Sequence, residues 1–210
     1  MYYAPRLAAL FARLSGLTEN IQTPVRAEAY ILEKSKLPDP EAFTISDRLQ
    51  SNVSGLPFIE QAAECMDHMA AGIDTTGDAL VFLIHHLSLE SSRPIQLRLQ
   101  KELIGNPNAK LDELPYLDAL IKEGLRVYPP GPISLPRLVP SGGREISGYD
   151  VPADTIVSCQ VFTVQRFDTV AFPDPDTFNP ERWLEPDGLL ERNRLFFAFG
   201  AGGRGCIGRK

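Results

Sequence analysis

The sequence predicts a mainly α fold with small β-hairpins toward its C-terminal end. Two observations carry this. Over the first 132 residues, apolar side chains recur at three-to-four spacing between proline and glycine breaks, the period of amphipathic helices. From 133 to 165 the texture changes to short β-prone runs, such as Thr155-Ile156-Val157, separated by glycine and proline turns. The 210 residues are 43% hydrophobic and 23% charged, the balance of a globular chain that can bury a core without staples. Lys plus Arg number 21 against 27 Asp plus Glu, a formal net charge of -6. That leaves no overall basic field for nucleic acid or anionic lipid.

The elements follow in order. Residues 5–14 place Leu7, Leu10, Phe11 and Leu14 on one stripe. A second helix covers 21–36 and stops before Pro38, and 37–43 form a punctuated connection. Thr44 and Asp47 are spaced as a capping box for a short helix to about residue 52. Residues 58–89 then form one helix about 45 Å long. Its flanks, 66–69 and 80–87, are apolar, but its centre reads Ala71-Gly72-Ile73-Asp74-Thr75-Thr76-Gly77-Asp78. Such residues lower helix propensity and compete for backbone hydrogen bonds. A helix weakest at its middle is expected where a site presses against it. Helices over 94–104 and 114–127 follow, the second with Pro115 in its first turn and its stop at Tyr128-Pro129-Pro130. Residues 172–183 are too proline-rich for a regular element.

Cys65, Cys159 and Cys206 are odd in number and far apart, so they form neither a disulfide framework nor a CxxC metal pattern. A reducing compartment is the simpler reading. No apolar run reaches the roughly 18 residues that span a bilayer. The start, with arginines inside its apolar stretch, does not read as a signal peptide. On these grounds the expressed chain is expected in the cytoplasm. His68, His85 and His86 lack metal-ligand spacing and read as surface or packing residues.

The richest segment is 197–208, FAFGAGGRGCIG, with five glycines around one arginine and one cysteine. Glycines permit positive φ and close approach to a flat partner. A cysteine among exposed backbone N–H groups can act as a thiolate, and a thiolate is one way to hold haem iron. A phosphate cradle competes, but the GxxxxGK[ST] spacing is missing, and the loose GxGxxG from Gly200 has no βαβ unit around it. On residue chemistry alone, a bland terminal loop with an inert cysteine stays open.

The order F-x-x-G-x-R-x-C-x-G, carried by Phe199, Gly202, Arg204, Cys206 and Gly208, resembles the haem-binding signature of the cytochrome P-450 superfamily. Glu123 and Arg126 match its E-x-x-R pair, and Ala71-Gly72-Ile73-Asp74-Thr75-Thr76 matches its A-G-x-D-T-T motif. Phe178-Asn179-Pro180-Glu181-Arg182-Trp183 is similar to its meander segment. The four motifs stand in the family's order, and the resemblance covers essentially the whole chain. It implies the C-terminal half of a eukaryotic, fungal-like cytochrome P-450 fold as one partial domain over 1–210. Within it, 1–132 would be helical, 133–165 a small β region, 166–196 the meander and 197–210 the cysteine loop.

The resemblance also implies roles. Haem b would be held through the Cys206 thiolate, with Gly202 and Gly208 shaping the loop. Phe199 would pack on the porphyrin, and Arg204 and Arg137 would meet its propionates. Arg137 reads otherwise as a solvated strand arginine. Asp74 and Thr75 would be the acid–alcohol pair that relays protons to dioxygen. One helical step of about 100° turns Asp74 away from Thr75, so Asp74 would act indirectly. Glu123, Arg126 and Arg182 would support the haem loop, and Ala71, Thr76 and Ile133 would border an apolar substrate pocket. The implied activity is a haem-thiolate monooxygenase inserting one oxygen atom of O2 into a hydrophobic organic substrate. Its electrons would come from NADPH through a flavoprotein reductase.

Members of the family are much longer. The chain is therefore expected to be truncated at both ends, without the membrane anchor that places complete relatives on the endoplasmic reticulum facing the cytosol. Residues 80–87 would then be left exposed. The alternative function is a truncated, non-catalytic fragment or incomplete gene product without monooxygenase activity. A smaller departure is Gln165-Arg166-Phe167-Asp168-Thr169, where relatives often carry N-R-D or H-R-D-P.

Overall fold

The computed structural model describes residues 22–36, 44–51 and 55–209. The stripe expected over 5–14 and the connection at 37–43 lie outside the described residues. The chain divides into two compact units, with the boundary between Gly72 and Ile73.

In the first unit, helix α1 (Gln22–Ser35) precedes α2 (Ile45–Ser51) and the opening turns of α3 (Phe58–Ser88). The Asp47 amide donates to Thr44 Oγ1 at 3.1 Å, as a capping threonine should accept. Ile31 and Ala62 are buried, and a cavity of about 280 Å³ lies between α1 and α3, lined by Ile31, Leu32, Ile59, Ala62, Ala63 and Met66 among others.

The second unit is organised around α5 (Pro115–Val127), which follows α4 (Arg93–Gly105). Tyr116, Ala119, Leu120, Glu123, Gly124 and Val127 are buried, an i, i+3, i+4, i+7 pattern that gives the helix one inward face. One cluster joins Tyr116, Leu120 and Val127 to Phe178, with Leu83 and Leu87 of α3 packed against it. A second joins Ala119 to Ala171, Phe172, Trp183 and Leu195. Each large side chain so buried is worth roughly 1.5–3 kcal/mol. Glu102 of α4 accepts from the Tyr116 and Leu117 amides at 2.7 and 2.9 Å, placing a carboxylate on the orphan donors and positive dipole end of α5. At the other end Pro129 and Pro130 have no N–H to offer the Leu125 and Arg126 carbonyls, so the helix cannot continue.

The β region holds two antiparallel pairs. Strand β1 (Ser134–Leu138) pairs with β4 (Ile156–Gln160), with Leu135 opposite Cys159 and Arg137 opposite Val157. Between them β2 (Arg144–Ile146) pairs with β3 (Tyr149–Val151). Strand β3 lies inside one of the glycine and proline turns expected between the β-prone runs. Ser147 and Gly148, at φ 53° and 83°, make the tight two-residue turn that returns the chain as a strand. Two short helices, α6 (Val161–Val164) and α7 (Leu189–Leu195), were not expected either. The reading of 172–183 as wholly irregular is corrected at its end. Pro180–Trp183 form a 310 turn, because proline suits the first helical position and the Asn179 side chain accepts from the Glu181 amide at 3.1 Å.

Leu80, Val81, Phe82 and Ile84 of α3 are at least half exposed, whereas Leu83 and Leu87 are packed. Among the described residues, no helix is long and apolar enough to cross a membrane.

Candidate functional site

The Glu123 carboxylate, which has no exposed surface, is bonded at both oxygens. Its Oε1 accepts from Arg126 Nη2 (2.9 Å), the Asn179 amide (2.9 Å) and Arg182 Nε (3.0 Å). Its Oε2 accepts from Arg126 Nε (2.8 Å) and Trp183 Nε1 (2.9 Å). Burial alone would raise this carboxyl's pKa. Hydrogen bonding and charge from Arg126, the Asn179 amide and the Arg182 charge outweigh it and hold the pKa below the ordinary range.

Both guanidiniums reach further. Arg126 Nη1 donates to the Gln165 and Pro175 carbonyls at 3.2 and 2.6 Å, and Arg182 Nη1 donates to the Pro173 carbonyl at 3.0 Å. Both also donate to the Thr177 carbonyl. One carboxylate and two planar cations thus pin five backbone points of the loop from 165 to 179, which makes no regular ladder of its own. Glu181 pairs outward with Arg98, whose guanidinium lies 4.5 Å from the Tyr116 ring centroid.

Gln165 and Arg166 close the open end of α5. The Gln165 amide group donates to the Leu125 and Arg126 carbonyls, at 3.3 and 3.4 Å. Arg166 donates to the Arg126 and Val127 carbonyls, at 3.2 and 2.7 Å, and its guanidinium faces the Phe162 ring at 3.7 Å. A cation at a helix C-terminus also meets the negative end of the dipole. His86 of α3 packs here too. Its Nδ1 is 2.8 Å from the Tyr128 hydroxyl and its ring centroid 4.2 Å from that of Phe178. Burial and the neighbouring His85 lower the His86 pKa against the opposing pull of Glu123.

The cysteine loop is closed by its own backbone. The Cys206 amide donates to the Phe199 carbonyl at 2.8 Å, and Gly202–Arg204 make a 310 turn inside that closure. Gly200 and Gly202 both sit at φ 67°, in the left-handed region that a side chain resists. Around Gly202 and Gly203 a side chain would meet nothing within 4 Å, so the backbone there faces open space. Cys206 is exposed, and a Cβ at Gly208 would touch its Sγ at 3.7 Å.

Two cavities flank this loop. One, of about 260 Å³, is lined by Thr75, Thr76, Leu80, Leu83, Leu125 and Phe199 among others. The other, of about 400 Å³, is bordered by Arg137, Arg204, Leu135, Phe197 and Cys159 among others. The structure therefore brings Thr75 and Thr76 together with Phe199, and Arg137 together with Arg204. Arg137 is exposed, and its Nη1 donates to the Pro136 carbonyl. Asp74 and Ile133 are exposed and line neither cavity, and Ala71 falls in the first unit.

These features leave room for an apolar group that bears carboxylates. An exposed thiol stands on a glycine-rich loop, one flanking cavity is largely apolar, and two guanidiniums border the other. Among the described residues, no group of three or more His, Cys, Asp or Glu is placed to hold a metal unaided. Arg98 was not singled out from the sequence, and Trp183, Gln165 and Arg166 stood there only within the meander motif and the departure before it, with no role assigned. For Gln165 and Arg166 a signal existed in the diproline, whose missing donors demand a partner from elsewhere.

The sequence profile described as Cytochrome P450 matches residues 16–210. Similar proteins include the cytochrome P450 monooxygenase hkm5 of Aspergillus hancockii, 39% identical over 157 residues, or 70% of this chain and 30% of that protein. The cytochrome P450 monooxygenase BOT1 of Botryotinia fuckeliana is 34% identical over 191 residues, 87% of this chain and 37% of that one. Among solved structures, the retinoic acid bound cyanobacterial CYP120A1 gives a TM-score of 0.72 at 25% identity, covering 88% of this chain and 43% of the other. The chain spans about a third of the length of the curated relatives it matches.

Proposed function

Because the chain belongs to the cytochrome P450 family, we propose that it carries the haem-ligating and proton-delivering part of a monooxygenase, with Cys206 as the thiolate ligand. The observation that supports this best is the exposed Cys206 on a loop whose backbone at Gly202 and Gly203 faces open space. Bound there, haem b supplies reductive activation of dioxygen and insertion of one oxygen atom into a substrate.

The rest is the work of the protein's own groups. The Cys206 amide–Phe199 carbonyl bond fixes where Sγ stands, and the Phe199 ring offers an apolar contact beside it. The Arg137 and Arg204 guanidiniums neutralise the two propionates. The Thr75 hydroxyl holds a proton at Oγ1 on the cavity side, and the exposed Asp74 carboxyl, one residue earlier, exchanges protons with solvent and resupplies it. Leu80, Leu83, Leu125 and Phe199 keep that side apolar, so the substrate is a hydrophobic organic molecule. Electrons from NADPH arrive through a separate flavoprotein reductase. Glu123, Arg126 and Arg182 touch no reacting atom; they hold the loop from 165 to 179 that leads toward the cysteine loop.

The test is spectroscopic. The chain is expressed with haem supplied, reduced and exposed to carbon monoxide, beside a Cys206→Ala control. A strongly red-shifted Soret band that vanishes in the control is the expected result. A band unchanged in the control would remove Cys206 from the iron.

A further inference from the structure

Gln165 is fully buried, and every polar atom of its side chain is used. Its Oε1 accepts from the Phe197 amide at 3.1 Å, while its Nε2 faces the Leu125 and Arg126 carbonyls. The partners fix which end is which, because an amide N–H can only donate and carbonyls can only accept. Its main chain is held as well: the Gln165 carbonyl accepts from Arg126 and its amide donates to the Val161 carbonyl. The side chain thus spans from the end of α5, where diproline leaves carbonyls without partners, to Phe197. Two residues later comes Phe199, whose carbonyl closes on the Cys206 amide.

We propose that Gln165 is a positioning residue: its amide ties the end of α5 to Phe197 and so sets where the loop carrying Cys206 begins. It acts through Phe197 and touches no cofactor. This deepens the haem-thiolate reading, since the position of Sγ depends on where that loop starts. The requirement is for one donor and one acceptor at opposite ends of an uncharged side chain. Glutamine meets it, a neutral histidine meets it, and methionine of similar length and volume meets neither half.

Amide hydrogen exchange on the whole chain, without haem, tests the tie directly. Gln165→Met should speed exchange at Phe197 and across the closure to Cys206 by at least about tenfold, the factor that corresponds to roughly 1.4 kcal/mol. Exchange in the middle of α5 should stay unchanged, and Gln165→His should restore protection at Phe197. Uniform acceleration through α5 and the loop would overturn the proposal, because Gln165 would then be core filling only. So would an unchanged Phe197. Should Gln165→Met fail to fold, Gln165→His against the unsubstituted chain decides, and loss of Phe197 protection in that variant is the overturning result. The same variants reduced under carbon monoxide separate the two readings. A smaller thiolate-type band in Gln165→Met, recovered in Gln165→His, supports both. If the unsubstituted chain gives no such band, the haem reading falls, while exchange at Phe197 still decides the tie.

Discussion

Replacing Glu123 by glutamine changes one atom and removes one charge, yet the structure gives it no good orientation. The two carboxylate oxygens accept five hydrogen bonds, three on Oε1 and two on Oε2. A glutamine oxygen can take the place of Oε1. Its NH2 group must then point at Arg126 Nε and Trp183 Nε1, donor against donor. Two bonds to the ionised carboxylate are lost, each worth about 1.5–3 kcal/mol. The buried Arg126 and nearly buried Arg182 also lose the anion between them. Breaking a buried pair from one side costs about 3–5 kcal/mol, and that is the expected loss. It is a fifth or more of a stability of about 5–15 kcal/mol. Urea unfolding followed by tryptophan fluorescence measures it, and Trp183 is the sole tryptophan and sits inside the network. A loss below about 1 kcal/mol with an unchanged slope would refute the reasoning, because water would then be standing in for the missing acceptor.

Three other outcomes are expected. Glu123 has a folded pKa below its unfolded value, so its contribution is complete above about pH 4.3 and is lost as pH falls through the folded pKa. Unfolding measured from pH 6 to 3 should show that acid limb, and Glu123→Gln should flatten it. The His86 pKa is also lowered, so below about pH 6.5 the unfolded chain takes the proton first and stability falls; His86→Phe should remove this shallower slope from the same titration. Gly124→Ala adds a Cβ at 3.0 Å from Leu83 Cδ1, and despite alanine's better helix propensity it should lower stability by about 1–3 kcal/mol, measured by thermal unfolding.

What could be read in advance was what depends on near neighbours in sequence. The 31 residues of Phe58–Ser88 announce themselves by apolar periodicity, and Pro115 marks the start of α5 to within a residue. The Glu123–Arg126 pair needs only i, i+3 spacing on one helix. What stayed hidden joins distant points. Trp183 meets Glu123 across 60 positions and Phe197 meets Gln165 across 32, and no local pattern encodes either distance. Strand β3 was hidden for a different reason. Tyr149-Asp150-Val151 is too short to show alternation, and only the left-handed pair before it turns the chain back. At the cysteine loop the residue order was legible. The pairing of Arg137 with Arg204 around one cavity needed the fold.

The diproline after α5 has a kinetic consequence. Many helices finish themselves, because the residues that follow can turn back and donate to the last carbonyls. Here the donors to Leu125 and Val127 lie 40 and 39 positions downstream, in a segment that acquires its shape by docking. The last turn of the helix and the arrival of that segment are therefore one event. A chain emerging from synthesis can build most of α5 early, but its final turn frays until residues 165 and 166 have been made and have closed on it. Hydrogen exchange in that turn should then report the opening of the downstream loop rather than the fraying of a helix end.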